Sequence, residues 1–167
     1  MKLKKNIKIA LFISEILIVG LAASVLYVTL IVQKTEIDFF ILLYFGIVLS
    51  GLFSVVYQLK TIKYYNSKII KPILLGAAFW IGNILFSILI FCYSLFIIYK
   101  ILLKYYDLDF EMSTDDFIGL LIIIFILLTS AFIALEASDL YKRVLKTKNQ
   151  SQTDTIDDIM GCKDDEF

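Results

Sequence analysis

The chain has 167 residues, 60% of them hydrophobic and 15% aromatic, with one proline, no histidine, and 16 basic residues balancing 16 acidic ones. A soluble domain of this length cannot hide so much apolar surface, so the composition excludes an ordinary water-soluble fold and points to a membrane protein. The missing histidine also removes the commonest general base and a common metal ligand.

Lys2, Lys4, Lys5 and Lys8 open the chain, and an apolar run over 9–32 follows. It exceeds the roughly 20 residues needed to cross a hydrocarbon core about 30 Å thick. A basic start before an apolar run also fits a cleaved signal peptide, with Gly20-Leu21-Ala22 as the cleavage site. The run continues well past that point and carries Glu15, so we expect a retained span. Further spans are expected over 39–59, 73–99 and 117–135, all as helices, because backbone inside lipid must satisfy its own hydrogen bonds.

Pro72 suits the first turn of the third helix, which should continue past the apolar run through Lys100 and Lys104. Ser113 or Thr114, ahead of Asp115 and Asp116, reads as the N-cap of the fourth helix. That helix should run on through Asp139 and Arg143, an i, i+4 pair. The fold expected is an all-α integral membrane protein: an antiparallel bundle of four transmembrane helices over 1–148, then a disordered acidic tail over 149–167.

Charge sets the expected orientation. Lysines also fill the connection after the second span (Lys60, Lys63, Lys68, Lys71), and Lys142, Arg143, Lys146 and Lys148 follow the fourth. The other two connections carry Glu36 and Asp38, then Asp107, Asp109, Glu111, Asp115 and Asp116, against Lys34, Lys100 and Lys104. Positive connections stay inside, which places both termini in the cytosol. Usage of Lys, Ile, Tyr and Asn suggests an AT-rich bacterium, hence the cytoplasmic (inner) membrane. Cys92 and Cys162 lie far apart in sequence, and no disulfide is expected.

Small residues recur at intervals of four: Gly20 and Ser24, Gly46 and Ser50, Ala78 and Gly82, Ser130 and Ala134, the second series continuing to Ser54 and the last to Ser138. Such faces let helices approach closely in lipid. At about 100° per residue, Gly76, Asn83, Ser87 and Ser94 share a stripe on the third helix. Ser50, Ser54 and Tyr57 share a face on the second, and Thr129 and Glu136 share one on the fourth. Glu15 and Glu136 each lie about 10 Å in from the flanking lysines, so Glu15, Ser54, Asn83 and Glu136 form a candidate intramembrane polar site. Were the two carboxylates to meet, they would share a proton or hold a cation.

On the first helix Gly20 and Ser24 lie nearly opposite Glu15. On the fourth, Ala134 and Ser138 lie opposite Glu136. We therefore expect one face of each helix to meet a second protein, most simply another copy. No nucleophile has a base beside it, and no phosphate loop, Cys-x-x-Cys or nucleic-acid-binding surface is present. No enzyme, catalytic residue, cofactor, metal or nucleic-acid partner is expected. The function expected is helix association with itself or with a membrane partner, as an accessory subunit, toxin-immunity protein or membrane defence component. A cytosolic partner would dock at the tail. The alternative is a proton- or cation-coupled transporter or oligomeric pore using Glu15, Asn83 and Glu136.

Overall fold

The structure is a computed structural model that describes residues 2–33, 36–62, 76–108 and 113–161, with side chains described over 5–33, 36–62, 76–106 and 113–142. Regular structure among the described residues is entirely helical: α1 (Lys2–Tyr27), which runs into a π-helical turn (Val28–Val32), α2 (Phe39–Thr61), α3 (Ala77–Leu108) and α4 (Thr114–Gly161). Within them Lys5–Val32, Phe39–Thr61, Ala77–Tyr106 and Thr114–Lys142 are long and apolar enough to cross a membrane, four helices as expected. The start of the third span over 73–75, with Pro72 and with Lys63, Lys68 and Lys71, lies outside the described residues.

Local chemistry fixes the helix starts. Asp38 caps α2, its carboxylate accepting from the Ile41 amide at 2.9 Å. Ser113 caps α4: its Oγ accepts from the Asp116 amide at 3.2 Å and donates to the Asp116 carboxylate at 2.8 Å. Each cap satisfies amides that have no partner inside the helix.

On α1 the buried residues are Lys8, Leu11, Glu15, Ile18 and Ala22, with Val19 beside them, the alternating three- and four-residue spacing of a helix packed along one stripe. That stripe meets α2, α2 meets α3 and α3 meets α4, whereas α1 touches α4 least. Leu11, Ile18, Val19, Ile47, Phe86 and Ile133 make the main apolar core, and Tyr57, Ala137 and Leu140 form a smaller cluster with Phe79 and Trp80. Gly51 faces Val19 and Phe86, and Gly82 faces Phe53, so closely that a Cβ at either would overlap its neighbour. Outward, all four helices present large apolar residues such as Leu17, Phe45, Leu85 and Phe125, a surface suited to lipid.

Helix α4 runs to Gly161, through residues 149–161 of the expected tail. No glycine or proline interrupts 120–160, and extending an existing helix avoids the cost of nucleating one. Residues 162–167 of the expected tail, with Cys162, lie outside the described residues.

Candidate intramembrane polar site

Three of the four residues expected at the polar site come together through hydrogen bonds. Glu15, on the buried stripe of α1, is 0% exposed. Ser54, one helical turn beyond Ser50 on α2, places its Oγ 3.1 Å from Glu15 Oε2 and 2.8 Å from Oδ1 of Asn83 on α3. Gln58, one further turn along the same face of α2, donates from Nε2 to Glu15 Oε1 at 2.6 Å. Among the described residues, Asn83 Nδ2 and Gln58 Oε1 have no hydrogen-bond partner although both residues are fully buried.

Glu136, the fourth residue, does not pair with Glu15. Its Oε1 accepts from Lys8 Nζ at 2.8 Å, an ion pair between side chains 1% (Lys8) and 11% (Glu136) exposed. Burying either charge alone is costly, whereas pairing them offsets much of that cost. The Lys8 ammonium also lies 5.1 Å from the ring centre of Tyr57, over its face. The Tyr57 ring packs edge-on against Trp80, and Trp80 edge-on against Tyr141.

Two members of the site, Lys8 and Gln58, lie outside the set expected from the sequence. In the sequence Lys8 reads as a flanking charge, yet it lies seven residues before Glu15 and hence on the same helix face. Gln58 follows Ser54 by four, the same spacing that drew attention to Ser50 and Ser54. Both positions were therefore legible from periodicity.

Around this centre, Ser87 on α3 donates to the carbonyl of Ser130 on α4 at 2.7 Å. Towards the opposite end of the bundle the hydroxyls of Tyr44 and Tyr93 hydrogen-bond to each other. A groove of about 370 Å³ opens between α1 and α4, where Lys8, Glu136 and Asp139 meet the apolar Leu11, Phe132 and Leu135. The expected partner of Asp139, Arg143, has a side chain outside the described set.

The small residues divide into two sets. Gly46, Ser50, Gly82 and Ser130 are in the packed interior or at its edge, and a Cβ on Gly46 would touch Leu89 at 3.6 Å. Gly20, Ser24, Ala78 and Ala134 are exposed, as is Ser138. Ser24 donates to the carbonyl of Gly20 at 2.8 Å, so this outward face is flat and its hydroxyl is satisfied within the helix. Ala134 and Ser138 instead line a second groove, of about 410 Å³, with Trp80, Ile84 and Tyr141.

Among the described residues no three His, Cys, Asp or Glu side chains gather as a metal-binding group. The class that fold and site define is an all-helical protein with four helices long and apolar enough to cross a membrane and a buried carboxylate network at their centre. No protein-family model, curated protein or solved structure matches the chain.

Proposed function

We propose that the chain crosses the cytoplasmic membrane four times as an antiparallel bundle with both termini in the cytosol, and that it acts by associating through its helices with a second copy or a membrane partner. Contacts between successive helices support the antiparallel arrangement: Glu15 and Val19 of α1 meet Gln58 and Gly51 of α2, so one number rises as the other falls. Tyr44 and Phe53 of α2 likewise meet Tyr93 and Gly82 of α3. The distribution of lysines supports the orientation.

The observation that carries the association reading is the outward set of small residues, Gly20 and Ser24 on α1 with Ala134 and Ser138 on α4, left over once the internal set has packed the bundle. In lipid, close approach between such faces replaces the hydrophobic drive that holds soluble oligomers together. A role as accessory subunit, immunity protein or defence component fits this reading, with the cytosolic end of α4 offered to a soluble partner.

Single cysteines placed at Ser24 and at Ala134, in a chain whose own Cys92 and Cys162 are replaced by alanine, test it by crosslinking in membranes. Dimer is expected at one or both sites. Monomer at both, at native expression, refutes self-association and leaves a different protein as the partner.

A second reading, proton- or cation-coupled transport, is favoured by one observation: Glu15 lies fully buried with only neutral hydrogen-bond partners. Flux into vesicles that is lost in Glu15→Gln would support it, and wild-type vesicles showing no flux would count against it.

A further inference from the structure

We propose that Glu15, Ser54 and Asn83 form a proton-binding site in which the carboxyl of Glu15 holds the proton, a property independent of the association reading. The reasoning is a count of hydrogens. Ser54 Oγ stands between two oxygens, Glu15 Oε2 at 3.1 Å and Asn83 Oδ1 at 2.8 Å, and a hydroxyl has one hydrogen to give. Only one of these contacts takes the serine hydrogen, so the other needs a hydrogen from its far oxygen. An amide oxygen carries none, whereas a protonated carboxyl does. With Asn83 presenting Oδ1 to the serine, as it does here, the chain runs from Glu15 Oε2–H to Ser54 Oγ–H to Asn83 Oδ1. Glu15 Oε1 remains the carbonyl of the acid and accepts from Gln58 Nε2 at 2.6 Å, the role a carbonyl oxygen suits.

The same atoms accommodate loss of the proton. With Glu15 ionised, the serine hydroxyl turns towards Oε2, and Asn83 presents Nδ2 to Ser54 Oγ by a half-turn of its amide. That nitrogen is buried and without a hydrogen-bond partner among the described residues, so no existing bond opposes the turn. Proton release therefore reverses the hydrogen-bond chain between α1, α2 and α3 with the three side chains in place. The ionisable groups acting on Glu15 are Lys8 on its own helix, itself over the ring of Tyr57 from α2, and Glu136 on α4, while α3 presents the amide of Asn83. Lys8 holds Glu136 at 2.8 Å, so the closest carboxylate is already matched by a cation.

Infrared difference spectroscopy on the full chain in lipid vesicles reads the proton directly. At neutral pH the wild type is expected to show the carbonyl stretch of a protonated carboxylic acid, retained when Lys8→Met and Glu136→Leu are combined and lost in Glu15→Gln. Glu15→Gln keeps the polarity of the acid, with an N–H towards Ser54 and a C=O towards Gln58, so it should unfold at the same midpoint as wild type. Should Glu15→Gln fail to fold, Ser54→Ala retains the carboxyl and removes its acceptor, and the band should shift in frequency. A wild type without the band at neutral pH, a band that survives in Glu15→Gln, or one unmoved by Ser54→Ala would each overturn the proposal.

Discussion

Two glycines on neighbouring helices show how differently the same residue is used. A methyl group added at Gly51 meets Val19 and the ring of Phe86, whereas one added at Gly20 meets nothing within 4 Å. Gly51→Ala should therefore cost about 1–3 kcal/mol through overpacking, and Gly20→Ala should be neutral or gain up to about 1 kcal/mol from better helix propensity. Unfolding of the two variants in detergent checks the ordering. The spacing rule that drew attention to Gly20 passed over Gly51, because whether a small residue packs inward depends on which large side chain faces it from the next helix. Lys8 and Glu136 illustrate the complementary case of a charge that only its partner makes tolerable. Lys8→Met, leaving Glu136 without the ammonium it contacts, should destabilise the bundle by about 3 kcal/mol, and Glu136→Leu should cost a similar amount. The double variant should cost clearly less than the sum of the two, since it removes both charges from the interior. A double-mutant cycle measures this, and additive losses would show that the pair is not coupled.

The helices themselves were the most legible feature, because length and hydropathy decide them almost alone: α2 begins at Phe39, as read from the sequence, and ends at Thr61, two residues past the apolar run. The ends of the other helices were less legible. The apolar run of α4 stops at 135, and the helix, expected from the sequence to run on through Asp139 and Arg143, continues to Gly161, since hydropathy marks what suits lipid and not where backbone hydrogen bonding stops. Caps carry the terminal information instead. Asp38→Ala should remove the acceptor of the Ile41 amide and cost about 1 kcal/mol. Faster hydrogen exchange at Ile41, with little change deep in α2, is the expected signature, and unchanged exchange there would show that the cap does not hold the turn. The polar site was legible in its residue types and helix faces but not in its pairing. Similar depth for Glu15 and Glu136 suggested a carboxylate pair, but depth does not say which neighbour lies across the gap. Lys8 occupies that place for Glu136, and Gln58 and Ser54 do so for Glu15.

At the scale of the whole molecule, the bundle is held by three strong seams, α1 with α2, α2 with α3 and α3 with α4, and a weaker one between α1 and α4. The outward small residues of α1 and α4 are exposed, Gly20 with open space around it and Ala134 at the rim of an open groove, so either position has room for a larger side chain. Gly20→Leu places a bulky side chain where a Cβ has open space around it, and Ala134→Leu enlarges an exposed position. Stability of the monomer should change by less than about 0.5 kcal/mol in each, as for surface substitutions generally. Association through either face should nevertheless fall sharply, because a leucine holds the partner backbone away and weakens the dispersion contacts that drive helix pairing in lipid. Energy transfer between labelled copies in vesicles, measured over a range of protein-to-lipid ratios, separates the two effects. Undiminished transfer in both variants would remove these faces as the association surface. Transfer lost together with the fold would mean instead that the small residues support the bundle itself. Transfer lost with the fold intact would identify the face, and the variant that loses it would say whether α1 or α4 carries the contact.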